Sequence, residues 1–179
     1  MASRACDIIF KLLEMAVFKD PKLIKAVEKF VFTNDQKYIG TISKFKIPNN
    51  FKTCTVPLFR GMFLDNSIVD DLKGGGSLTI SNYTSWTIHE KMAMAFVKDS
   101  KKRVGGKASG VGIVCKKKIP DSKVVLNIQS LFMFLENMGM LDQFGIDPLT
   151  AEMGVEEGEV LCDKGLVLTK RDIHRIVSS

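Results

Sequence analysis

Val56-Pro57-Leu58-Phe59-Arg60-Gly61 marks the point where the chain changes its period, and the fold follows from that change. Upstream, apolar residues recur at helical spacing. Ile8, Ile9, Leu12, Leu13 and Ala16 predict an amphipathic helix over residues 3–18. Asp20-Pro21 supplies an N-cap and a first-turn proline for a second helix, with Leu23, Ile24, Val27, Phe30 and Val31 as its apolar stripe. Beyond Pro48 the apolar residues fall in short runs rich in strand formers. Strands are predicted over 56–59, 78–81, 111–115, 124–127, 159–161, 165–169 and 172–177, with Gly74-Gly75-Gly76 as a turn before the second. Two helices interrupt them: 88–97, with Ile88, Met92, Ala95 and Phe96 turned inward, and 129–142, rich in Leu, Phe and Met. Helices come mostly early and strands mostly late. That order predicts an α+β fold with a mixed or antiparallel sheet and argues against a doubly wound βαβ arrangement.

At 179 residues, with 45% hydrophobic and 26% charged residues, the chain reads as one folded domain and not as a disordered segment. Cys6, Cys54, Cys115 and Cys162 are scattered and form no CxxC or Cys/His cluster. They predict four reduced thiols in a cytosolic protein and no metal site. Asp7, Lys11 and Glu14 break the apolar N-terminus, which argues against a signal peptide. No apolar run approaches the roughly 20 residues needed to span a bilayer, so no membrane partner is expected.

The formal net charge of +6 is unevenly spread. Lys98, Lys101, Lys102, Arg103, Lys107, Lys116, Lys117 and Lys118 face a single acid, Asp99, between positions 98 and 118. That run reads either as a solvated loop and strand end, or as a patch that docks an acidic protein or a nucleic-acid backbone. It contains no aromatic residue, so stacking of single-stranded bases there is not expected.

Several motifs fail on inspection. Gly105-Gly106-Lys107-Ala108-Ser109 misses phosphate-loop spacing, because Lys101 and Ala108 stand where Gly and Ser or Thr are required. No GxGxxG follows a strand. His89 and His174, the only histidines, read as structural. Trp86 is equally readable as core or as the flank of a ligand.

Three segments survive. Val56-Pro57-Leu58-Phe59-Arg60-Gly61 is an apolar strand ending in Arg-Gly. Tyr83-Thr84-Ser85-Trp86-Thr87 is an aromatic-x-Ser-x-Thr strand, with Ala93 and Phe96 eight and eleven residues after Ser85. Glu157-Gly158-Glu159-Val160-Leu161 is followed by Gly165-Leu166-Val167-Leu168. In this order, over roughly residues 55–177, they resemble the arginine–serine–glutamate class of mono-ADP-ribosyltransferases, its bacteriophage members most of all. Two positions depart from that pattern: Trp86 stands where a small Thr is common, and Asp163-Lys164 replaces a frequent Pro.

The resemblance implies a single ADP-ribosyltransferase domain, with a helical N-terminal lobe over residues 1–50, a core over 55–177 and an NAD cleft. It implies NAD+ as co-substrate and no metal. Arg60 would grip the pyrophosphate with its planar, permanently charged fork. The Gly61 backbone would approach the nicotinamide amide. Ser85, with Trp86 and Thr87 beside it, would hold the ribose side or orient Glu159. Glu159 would stabilise the ribosyl cation. Glu157 would hold or deprotonate the acceptor, facing the same way as Glu159 if the segment is extended, with Glu156 facing away. Phe96 would line the pocket or pack under its helix. The implied activity is transfer of ADP-ribose to arginine of host proteins of transcription or translation, such as RNA polymerase or ribosome-associated proteins, in a host bacterial cytoplasm. Two other readings stay open: the same fold acting on nucleic acid or on water, as an NAD glycohydrolase, and a non-enzymatic basic binding protein.

Overall fold

The computed structural model describes residues 15–103 and 110–177. The helix expected over 3–18 falls largely outside them, as do Cys6 and the segment 105–109; Met15–Lys19 form a 3-10 turn that buries Phe18. Helix α1 (Pro21–Thr33) begins where its sequence requires. Asp20 Oδ1 accepts from the Lys22 backbone N–H at 2.8 Å, and Pro21 fills the first turn. Its five-residue stripe is buried. Helix α2 (Lys37–Ile42) packs beside it after a three-residue loop.

Strand β1 (Leu58–Asp65) starts two residues later than expected and runs six residues further. Pro57 has no N–H to offer a ladder, and the apolar Met62-Phe63-Leu64 carries the strand beyond Arg60-Gly61. Helix α3 (Asn66–Gly74) follows at once and is capped by Gly75 at φ +103°. It has no counterpart in the sequence reading, because only Val69 and Leu72 are buried, too few to set up a periodic signal. Then come β2 (Ser77–Ile80), β3 (Thr84–Thr87), α4 (Glu90–Arg103), β4 (Gly110–Lys117), β5 (Val124–Asn127) and α5 (Ile128–Asn137). Helix α5 ends before Gly139, which takes φ +62°, and so stops short of the expected residue 142. Helix α6 (Pro148–Glu157), also without a counterpart in the sequence reading, is capped by Asp147. It leads directly into β6 (Glu159–Cys162), followed by β7 (Leu166–Thr169) and β8 (Ile173–Val177).

Every ladder is antiparallel. One sheet has the order β5-β6-β3-β1-β4-β8, and the second pairs β2 with β7. This is an α+β fold with an antiparallel sheet. The N-terminal helices, α5 and α6 share one apolar cluster with Leu126 of β5 and Leu161 of β6. Between the two sheets lies a second cluster, built from Leu58, Trp86, Ile113, Val160, Leu166 and their neighbours. Helix α4 closes on β1 and β4 through Ala93 and Val97, not through Ala95 and Phe96 as expected; Ala95 is exposed. Close approach selects that face. A Cβ on Gly61 would lie 1.9 Å from the Ala93 carbonyl oxygen, and one on Gly112 would lie 2.4 Å from a Val97 methyl.

Candidate active site

Strand pairing decides which candidate residues meet. Thr87 lies opposite Glu159, Ser85 opposite Leu161, and Phe59 opposite Thr87. Ser85, Thr87 and Glu159 therefore share one face of the central sheet. Trp86 faces the other way. It is 1% exposed, belongs to the cluster between the sheets, and donates its Nε1 hydrogen to Thr84 Oγ1 at 3.0 Å. With its ring packed and its one donor satisfied, Trp86 is core and not a ligand wall.

Arg60 starts on the Trp86 side of the sheet, with Leu58 and Met62, and its tip reaches the Ser85 main chain and Gln36. The β1–β3 ladder holds one pair, Phe59 with Thr87. Beyond that pair the Ser85 carbonyl is claimed by Arg60, whose Nη1 donates to it. Gln36, with its amide oxygen turned toward Arg60, accepts from Nη2 at 3.3 Å and donates to the Tyr83 carbonyl at 2.7 Å. The Arg60 Nε–H is enclosed and has no partner among the described residues. Burial pulls the guanidinium below its ordinary value, with the neighbouring Cys162 and Cys115 acting in the opposite sense. Both thiols are themselves held neutral by burial, Cys115 pushed up to about 12 and Cys162 also raised. Cys54, Cys115 and Cys162 are free thiols.

Glu159 is 1% exposed, and neither carboxyl oxygen has a hydrogen-bond partner among the described residues. The Ser85 hydroxyl is its nearest polar help, but that proton is directed to Asn34 Oδ1, a long contact of 3.4 Å. No ion pair joins Glu159 to Arg60. Burial, chiefly, and then the Glu157 charge push the Glu159 carboxyl well above the usual carboxylate value. Glu157 is less buried and less raised, by desolvation and by Glu156. Its charge opposes the ionisation of Glu159.

Glu157 is not part of an extended segment. It is the last residue of α6, and Gly158 turns the chain with φ +59°. Strand alternation therefore does not carry Glu157 onto the Glu159 face; the helix end and the left-handed turn set its place. That corner is tied down. The Thr87 hydroxyl donates to the Glu157 carbonyl at 2.5 Å and accepts from the His89 N–H at 3.0 Å, while the Ile88 N–H donates to the Gly158 carbonyl at 3.1 Å. A Cβ on Gly158 would sit 2.6 Å from Ile88 Cγ1. Thr87 thus spends its hydroxyl on holding the acidic corner and not on a ligand.

Gly61 is accounted for by the approach of α4, on the side of β1 away from the Arg60 side chain. Phe96 is half-buried on α4. The basic run divides. Lys98 lies on α4, whose last residues lead toward the start of β4, whereas Lys116 to Lys118 lie at its far end. Lys117 is committed to Asp172 at 3.0 Å. Lys107 and the side chains of Asp99, Lys101, Lys102 and Arg103 lie outside the described detail.

Asn34 and Gln36, which the sequence reading missed, touch Ser85 and Arg60 directly. Neither sits in a motif, and both come from the helical lobe. Among the described residues no group of three or more His, Cys, Asp or Glu is placed to hold a metal ion. No described helix is long and apolar enough to cross a membrane. No family model, curated protein or solved structure matches the chain.

Proposed function

We propose that the chain is an NAD-dependent mono-ADP-ribosyltransferase with an ADP-ribosyltransferase fold, and that its acceptor is an arginine of a protein. The observation that carries this reading is the Glu159 carboxyl on β6, buried with both oxygens unpartnered, together with Arg60 on β1, which among the described residues is held only by neutral acceptors, the Ser85 carbonyl of the intervening β3 and Gln36. A buried carboxyl with no partner and an arginine with no counter-charge both destabilise the free protein. A ligand carrying a diphosphate and a developing cation satisfies both, and NAD is such a ligand.

In this reading Arg60 binds the diphosphate as a full charge, since no carboxylate among the described residues pairs with it. Glu159 stands beside the ribose C1′. As the C1′–N bond breaks, its electron pair leaves with nicotinamide and the ribose becomes cationic. A carboxylate ~4 Å away in an effective dielectric of ~20 is worth about 4 kcal/mol, nearly three powers of ten in rate. The raised Glu159 value in the free protein falls when the cationic nicotinamide ring arrives, so the group ionises as the substrate binds. The acceptor guanidinium nitrogen then bonds to C1′, and Glu157 takes the proton it sheds. A carboxylate suits that task because it pairs with a guanidinium through two parallel hydrogen bonds.

The test is nicotinamide release from NAD by the purified protein, followed by mass spectrometry of an arginine-rich acceptor protein. Glu159→Gln is expected to abolish nicotinamide release and Glu157→Gln to abolish transfer while sparing hydrolysis. Equal rates in wild type and Glu159→Gln would remove the reading.

A further inference from the structure

The three-residue loop between α1 and α2 is unusual in where its side chains go. Asn34 takes φ +52°, ψ +29°, and is the one non-glycine residue with positive φ among those described. Asn tolerates that conformation better than most side chains. Its N–H seals α1 by donating to the Phe30 carbonyl at 2.6 Å, which fixes the backbone and leaves the amide free to reach Ser85. Asp35 stakes the start of α2: its Oδ1 accepts from the Lys37 N–H at 3.0 Å and its Oδ2 pairs with Lys37 Nζ at 2.6 Å. Between these anchors, Gln36 bridges the Tyr83 carbonyl and the Arg60 guanidinium.

We infer that the Asn34–Asp35–Gln36 loop is the positioning element of the Arg60/Ser85 pair, with Gln36 fixing the Arg60 fork and Asn34 holding the Ser85 hydroxyl. This rests on the proposed function and deepens it by naming what presents the cation to the diphosphate. The chemistry of the clamp is the reason. A buried arginine is usually matched by a carboxylate, which satisfies its charge and cancels it. Here the two Nη groups meet carbonyl oxygens only, from Ser85 and Gln36. Those acceptors fix the plane of the fork while leaving the whole charge for an anion. Asn34 Oδ1 likewise accepts a hydrogen bond from the Ser85 hydroxyl at 3.4 Å. Once Glu159 ionises it becomes the stronger acceptor, and the same hydroxyl is free to turn to it.

Three variants test the inference: Gln36→Met, Gln36→Glu and Gln36→Met in an Arg60→Lys background. The first readout is the side-chain ¹⁵N spectrum of the arginines in the free protein. Rotation of the Arg60 guanidinium is expected to speed up in Gln36→Met, which leaves only the Ser85 carbonyl, and to stay slow in Gln36→Glu. The second is calorimetry with ADP-ribose. Gln36→Met is expected to weaken binding about tenfold, the loss of one hydrogen bond to a charged group. Gln36→Glu is expected to weaken it at least as much although the arginine stays held, because the new carboxylate cancels its charge. In the Arg60→Lys background the effect of Gln36→Met is expected to shrink below about twofold, as for two residues acting through one contact. An Arg60 signal unchanged in Gln36→Met, or a full effect of Gln36→Met without Arg60, would overturn the inference. Absence of ADP-ribose binding by the wild type would instead count against the proposed function, and the spectrum of the free protein would still decide whether Gln36 positions Arg60.

Discussion

A carboxyl with no partner in a protein interior lowers stability as soon as it ionises, and Glu159 is such a group. Its folded-state value is raised above the ordinary 4.5, so the folded protein binds more protons than the unfolded chain across that gap. Stability is full below 4.5 and falls as pH rises toward the raised value, by about 1.4 kcal/mol for each pH unit in the window. Glu159→Gln removes the titration. Its Tm is expected to match the wild type near pH 4 and to exceed it increasingly above, in thermal melts between pH 4 and 8; parallel curves would show that Glu159 is not the perturbed group. The same displacement has a kinetic face. The profile of kcat/KM reports the free protein and that of kcat the complex with NAD. The acidic limb of kcat/KM is expected at higher pH than that of kcat, and coincident limbs would mean that NAD does not lower the Glu159 value. Glu159 was legible in the sequence because two acids before an apolar strand form a local pattern. Gln36 and Asn34 were not, since each acts on a partner 24 or 51 positions away through a loop with no motif.

Glycines carry the geometry at the level of elements. Gly61 lets α4 lie on β1, and Gly61→Ala would drive a methyl to within 1.9 Å of a backbone oxygen that cannot turn aside. The expected loss is about 1–3 kcal/mol or more in urea denaturation, as for overpacked cores; a neutral result would mean that α4 rides higher than described. Gly158→Ala meets both a left-handed backbone and the Ile88 side chain. It is expected to lose about 1–2 kcal/mol of stability and to impair transfer more than NAD hydrolysis, because it displaces the helix end bearing Glu157. The Arg-Gly pair was visible in the sequence, but the glycine was read as a ligand approach when its partner is a helix. Sequence shows that a side chain is absent at a position; only the packed elements show what occupies the space. The same limit applies to Glu157. Two acids two apart suggest a strand, and the left-handed Gly158 that separates helix from strand leaves no periodic trace. The α+β class, by contrast, followed from the strand-rich runs after Pro48, each of which recurs in the structure; the sequence left a mixed or an antiparallel sheet open, and the ladders show the latter.

Across the whole molecule the basic run changes meaning. Lys98 lies on α4, whereas Lys116 and Lys117 close the eight-residue β4. Lys116 and Lys118 are exposed at the end of β4 that pairs with Leu58, near Arg60; Lys117 is spent on Asp172. If an acidic acceptor docks beside the site, Lys116→Gln with Lys118→Gln is expected to slow protein modification and flatten its salt dependence, with NAD hydrolysis unchanged. Replacing Lys101, Lys102 and Arg103, at the other end, is expected to do less; the reverse ranking would place the docking surface there. The central claim concerns bond cleavage and is tested most directly by chromatographic measurement of nicotinamide released from NAD by purified wild type and Glu159→Gln in parallel, in the presence of a bacterial lysate. Release by the wild type, none above background by Glu159→Gln, and an ADP-ribosyl group on arginine in the wild-type lysate are expected. No release by a folded wild-type protein, or equal release by both, would contradict the assignment.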